Sequence, residues 1–135
     1  MNTVLCDTDV IIELLKENNL VVAKIISIGY NNITITPITL AEIQLGEPDK
    51  ISFQKTLKKL SPVPVIPLDA AISIRFTSLF EKYCLSHRPS IPDMLIAATA
   101  ISYDIELFTL NTKDFRFIHG LKLMNHNIKP IRVRR

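Results

Sequence analysis

Glycine is scarce in this sequence, with 3 residues in 135. A loop that cradles phosphate through backbone N–H groups, or a dinucleotide-binding turn, needs glycines at fixed spacing, and neither pattern occurs. A serine nucleophile elbow is missing as well. Cysteine is rarer still: Cys6 and Cys84 are the only two. Their separation suits neither a zinc knuckle nor a CxxC redox pair, and their apolar neighbours point to buried free thiols. No uncharged apolar stretch reaches the ~18 residues that a membrane-crossing helix takes. The opening residues show no basic leader and no small-residue cleavage site, and Asp7, Asp9 and Glu13 interrupt the apolar run, so a cytoplasmic protein is expected. Repeats, linkers and low-complexity segments are lacking too, which with the length points to one domain over residues 1–135.

What is present is apolar and mildly basic. Hydrophobic residues make up 47% and charged residues 21%, enough apolar surface for a core that offsets the entropy of ordering the chain. Lys and Arg number 16 against 13 Asp and Glu, a net charge of +3 that is compatible with a polyanionic partner but common in ordinary domains. Lys50, Lys55, Lys58 and Lys59 cluster in one segment and Arg132, Arg134 and Arg135 stand together at 132–135; solvated surface explains them as well as nucleic-acid contact does.

The apolar periodicity alternates between strand and helix. Val4-Leu5-Cys6 reads as a strand stopped by Asp7-Thr8-Asp9, with Val10, Ile11, Leu14 and Leu15 at helical spacing behind it. A helix over Val21 to Ile28 ends at Gly29, and the β-branched Ile33 to Thr36 form a strand closed by Pro37. Helices follow over Ile38 to Leu45 and Ile51 to Leu60, and the proline-flanked Val63 to Ile66 suits only an edge strand. Asp69 caps a helix reaching about Leu85, Ser90-Ile91-Pro92 introduces one from Asp93 to Tyr103, and Leu107 to Leu110 is the next strand. A short helix near Phe115 and a last strand within Leu121 to Val133 complete the expectation. Strands alternating with helices imply a three-layer α/β/α sandwich on a parallel sheet.

In such a sheet, ligands bind outside the carboxyl ends of the strands. Asp7 follows the first strand, Glu42 lies in the opening turns of the helix after the second, and Asp93 opens a helix that descends before the Leu107 strand climbs back. That strand then delivers Asn111 and Asp114 to the same edge. Acids converging from separate segments repel and take up protons unless a cation neutralises them, and magnesium or manganese prefers such oxygen ligands. Metal-assisted hydrolysis of a phosphodiester is the chemistry implied. Each acid also has a plainer reading: Asp7 as a helix cap, Glu42 on an exposed helix face, Asp93 complementing a helix dipole, Asp114 in a turn. Asp49, Asp69 and Asp104 read as caps or loop acids, and His87, His119 and His126 lack metal-ligand spacing and read as surface or loop residues.

At these same positions the sequence resembles the PIN-domain family, specifically the VapC-like toxins. Val4-Leu5-Cys6-Asp7-Thr8-Asp9-Val10-Ile11-Ile12 is similar to the family's opening motif, Thr39-Leu40-Ala41-Glu42-Ile43 with Gly46 to its second, Pro92-Asp93-Met94-Leu95-Ile96-Ala97-Ala98-Thr99-Ala100 to its third, and Thr109-Leu110-Asn111-Thr112-Lys113-Asp114-Phe115 to its fourth. The resemblance implies a sheet of about five parallel strands, a magnesium or manganese site, endonucleolytic cutting of RNA, homodimerisation and neutralisation by a cognate antitoxin. It implies Asp7, Glu42 and Asp93 as catalytic metal ligands, with Asp114 or Asn111 in the fourth position and Thr8, Asp9 and Thr109 binding or orienting ligands and water. A PIN-like module that binds RNA or protein without cleaving is the rival reading, and the intact acids oppose it.

Overall fold

The computed structural model describes residues 3–130. Its central strand, β1 (Val4–Cys6), pairs in parallel with β2 (Ile33–Thr34) on one side and β3 (Glu106–Phe108) on the other. Val4 faces Ile33 and Glu106 in register, Leu5 faces Thr34 and Leu107, and Cys6 faces Phe108. All of β1 is buried, as expected for a parallel strand covered on both faces. Its alternation sends Val4 and Cys6 one way and Leu5 the other.

Two helical layers receive those faces. Val4 and Cys6 pack among residues of α1 (Thr8–Leu15), α2 (Asn19–Ile28), α3 (Pro37–Leu45) and α4 (Lys50–Leu60), including Val10, Ile11, Val21, Ile25, Ile43 and Leu60. Leu5 and Leu107 pack against α5 (Ala70–His87) and α6 (Ile91–Tyr103) through Ile72, Leu79, Met94, Ile96 and Ala97. The fold is α/β with a parallel sheet and helices on both sides.

The sheet is narrower than the five or so strands expected. Among the described residues it has three strands, extended at each edge by a single parallel bridge, Ile35 with Val65 and Leu107 with Leu123. Proline explains one edge: without an N–H, Pro64 offers only its carbonyl, which accepts from the Ile35 N–H and the Thr34 hydroxyl, while the Ile66 N–H donates to Ile35. The other edge is held by the Leu107 N–H donating to Lys122 and the Met124 N–H donating to Leu107. The last strand placed within Leu121 to Val133 is thus the Leu123 bridge; residues 131–133 of that range lie outside the described residues, as do Arg132, Arg134 and Arg135. The strand over Ile33 to Thr36 also shortens, because Thr36 is taken as the N-cap of α3, its hydroxyl accepting from the Thr39 N–H. The helix expected near Phe115 is a 3-10 turn at Thr112–Asp114.

Asp49 and Asp69 cap α4 and α5 by accepting from the Ser52 and Ile72 N–H groups. The backbone and then the side chain of Ser52 hold the Asp49 carboxyl below its ordinary pKa, as a capping carboxylate should be. Asp104 ends α6 in the left-handed region (φ 53°) and pairs with Lys122 at 2.7 Å. Cys6 is buried as expected, but Cys84 is only half-buried, because its side of α5 forms a shallow apolar groove with Phe76, Phe80 and Ile91. Among the described residues no helix is long and apolar enough to cross a membrane.

Candidate active site

Each strand delivers polar groups at its carboxyl end. β1 runs into Asp7, which is the N-cap of α1 and accepts from the Thr8 N–H through Oδ1 at 2.8 Å. A cap needs no more than that, yet Oδ2 also accepts from the Thr109 hydroxyl at 2.8 Å, and the Asp7 N–H donates to Phe108. Asp7 therefore ties the end of β1 to the end of β3.

Thr8 makes the next link. Its Oγ1 lies 2.6 Å from Glu42 Oε1 and 3.0 Å from Thr39 Oγ1. A hydroxyl has one proton and a carboxylate only accepts, so Thr8 donates to Glu42 and accepts from Thr39. α1 and α3 are thereby joined at the sheet edge, with Glu42 fixed by a charge-assisted bond. Asp9 reaches to the far side, accepting from the Leu110 N–H at 3.2 Å and the Asn111 side-chain amide at 2.9 Å through Oδ2.

Asp93 stands in the first turn of α6, its N–H donating to the N-capping Ser90 hydroxyl at 3.1 Å. α6 ends at Tyr103 and β3 begins at Glu106, so the short connection makes the helix antiparallel to the strand and puts its start at the carboxyl edge. Asp7 and Asp9 are 0% exposed and Asp93 is 7% exposed, whereas Glu42 is half-buried. Acids at that depth are costly as ions unless hydrogen bonds or a neighbouring cation compensate them. The field they make is felt locally: burial drives the Cys6 thiol far above its ordinary pKa, and the charges of Asp7 and then Asp9 raise it further. Cys6 is therefore a neutral core thiol and takes no part as ligand or nucleophile.

Carboxylate, hydroxyl and amide oxygens are the donor chemistry of a hard divalent ion. As the side chains stand, no three His, Cys, Asp or Glu groups among the described residues are placed to hold one ion between them. Glu42 Oε1, for example, rests on Thr8. The donor types fit a metal, and closing on one requires the acids to converge further.

Of the residues singled out from sequence, Asp7, Thr8, Asp9, Glu42, Thr109 and Asn111 are joined by hydrogen bonds, and Asp93 stands at the same edge. Asp114 is exposed in the 3-10 turn. Two residues with no site role expected from sequence also touch this network. Thr39 supports Thr8 and was legible as one turn before Glu42 on the same helix face. His126 is half-buried in a loop and bonds the Thr109 carbonyl, a contact that no local pattern announces.

A sequence profile of the PIN domain matches residues 4–119. The chain belongs to the PIN-domain family, and family membership points to use of a divalent metal. Its relatives there include Ribonuclease VapC1 of Rickettsia felis, 31% identical over an alignment 108 positions long that covers 74% of this chain and 81% of that protein. Among solved structures, VapBC2 from Rickettsia felis bound to a DNA fragment from its promoter is similar with a TM-score of 0.82 at 26% identity, covering 93% of this chain and 99% of that one. A toxin–antitoxin complex from Klebsiella pneumoniae gives 0.75 at 28% identity, covering 88% and 95%.

Proposed function

We propose that the chain is a metal-dependent endoribonuclease of the cytoplasm, the toxin of a type II toxin–antitoxin pair, with Mg2+ or Mn2+ held by Asp7, Glu42 and Asp93. The observation that carries this reading is the gathering of buried acids from separate segments at one sheet edge, with more hydrogen-bond donors aimed at Asp7 and Asp9 than helix capping uses. A divalent ion supplies the positive charge that both the acids and a scissile phosphodiester call for. The protein's part is alignment. The Thr8 N–H and Thr109 hydroxyl set the Asp7 carboxylate, the Thr39-to-Thr8 hydroxyl chain sets Glu42, and Leu110 and Asn111 set Asp9.

The fourth position falls to Asn111, bonded to Asp9, in preference to the exposed Asp114. Asn111→Ala is expected to slow cleavage about tenfold, in the range usual for residues that orient metal ligands, and Asp114→Asn by less than about threefold. Single-turnover rates at matched folded fraction separate them; the reverse order would move the fourth position to Asp114.

Surfaces beside the acids suit the partners. A cavity of about 330 Å³ is lined by Glu42 together with Lys16 and Lys59, cations placed to meet phosphate. A larger one of about 630 Å³ shares Lys59 and is lined by Leu14, Leu15, Val22, Tyr30 and Leu60 with Glu17, Asn19 and Asn31, a partly apolar trough beside α1, α2 and α4 for an antitoxin segment. Homodimerisation is part of the same proposal.

Induced alone in bacteria, the chain is expected to arrest growth with loss of particular RNAs, and an antitoxin encoded beside it should relieve the arrest and co-purify. Growth unaffected by the chain alone, or separate elution of the two proteins, would count against the toxin reading.

A further inference from the structure

We propose that His126 is a positioning residue for the acidic site, holding Thr109 and through it Asp7. Only the turnover readout below rests on the ribonuclease reading. The stretch after β3 does much for the site: the Thr109 hydroxyl donates to Asp7, and Leu110 and Asn111 donate to Asp9. These bonds demand a fixed backbone in a segment that has already left the strand, since β3 ends at Phe108.

His126 supplies the fixing. Its Nε2 lies 2.7 Å from the Thr109 carbonyl oxygen, and its Nδ1 lies 3.1 Å from the Ile128 backbone nitrogen. A backbone N–H only donates, so Nδ1 accepts; a carbonyl only accepts, so Nε2 carries the proton. Both bonds are satisfied together by one form of the ring alone, the neutral Nε2–H tautomer. The ring also meets Phe108 edge-on, with centroids 5.2 Å apart. The segment bearing it is anchored independently, by the Met124 N–H donating to Leu107 and by Met124 and Ile128 packing against the buried cluster under α1 and α2. The 122–128 strap thus grips β3 at Leu107 and its extension at Thr109. The Thr109 hydroxyl is set on one side by Asp7 and the Asn111 N–H, and its carbonyl is set on the other by His126.

A structural strap and a positioning residue differ in what they change. His126→Phe keeps a ring against Phe108 but loses both polar bonds, whereas His126→Gln keeps an amide N–H able to reach Thr109. Removing a group that orients a metal-site side chain costs about tenfold or more in metal affinity or rate. The Phe variant is therefore expected to lose about tenfold in kcat with KM within about twofold of the parent, and to bind Mn2+ about tenfold more weakly by calorimetry. The Gln variant is expected to restore most of both losses. Nitrogen NMR of the parent at neutral to alkaline pH should find the His126 proton on Nε2. If the Phe variant does not fold, His126→Asn, whose amide is too short to reach Thr109, takes its place with the same expectation.

Mn2+ affinity equal to the parent's in the variants that lose the bond would overturn the proposal, as would a proton on Nδ1 or a Gln variant as impaired as the Phe variant. Weakened Mn2+ binding beside a parent that cuts no RNA would sink the ribonuclease reading and leave His126 in its role.

Discussion

Asp93→Asn is expected to abolish RNA cleavage and growth inhibition, with a rate loss on the order of a hundredfold or more. Asp93 is the third helical residue after the Ser90 cap and is buried at the start of α6. Its plain role is to complement the helix dipole, an effect of about 0.3–1 kcal/mol that an amide partly keeps. A hundredfold loss of rate corresponds to about 2.7 kcal/mol of transition-state stabilisation, which a helix-end effect does not reach. Capping acids elsewhere give the control. Asp69→Asn should cost about 1 kcal/mol of stability or less and leave cleavage intact. Asp49→Asn, at the exposed start of α4, should leave cleavage intact as well. Rates are compared at saturating metal and matched folded fraction, and unchanged turnover in Asp93→Asn would return that residue to a helix-end role.

Asp7→Asn is expected to remove metal binding altogether while leaving the metal-free protein nearly as stable as the parent. The parent should gain about 2.7 kcal/mol from an ion at a hundred times its Kd, by linkage, and the variant should gain nothing measurable. Metal-free stability should fall by no more than about 1 kcal/mol, because the amide oxygen of Asn keeps the cap bond from the Thr8 N–H. Thermal unfolding with and without Mn2+ measures both quantities. A variant that Mn2+ still stabilises as strongly as the parent would take Asp7 out of the site.

Much of this architecture was legible in local sequence. The Ser90 cap with Pro92 in the first turn of α6 and the Asp49 and Asp69 caps follow from side-chain chemistry within a few residues of where it acts, and behind β1 the expected turn Asp7-Thr8-Asp9 is replaced by an Asp7 cap with Thr8 and Asp9 already in α1. Sheet width was less legible, because whether Val65 and Leu123 pair as strands or as single bridges depends on neighbours far off in sequence and on a missing Pro64 N–H. The acids could be named from the topology, which fixes the edge each one reaches. Their mutual support could not. The bond from Thr109 to Asp7 spans 102 residues and the contact of His126 with Thr109 spans 17, and neither leaves a periodic or spacing signal. The fourth acidic position shows the same limit: Asn111 and Asp114 are three apart in one turn, and only the three-dimensional arrangement sets Asn111 on Asp9 and leaves Asp114 exposed.

The most direct test of the central claim is cleavage of an end-labelled single-stranded RNA by the purified chain, freed of any antitoxin, in Mg2+ or Mn2+ and again after chelation with EDTA. The expected result is endonucleolytic cutting that requires the ion, returns when the ion is restored, and is lost in Asp7→Asn and Asp93→Asn. Cutting that persists at the parent's rate in EDTA or in both variants would contradict it.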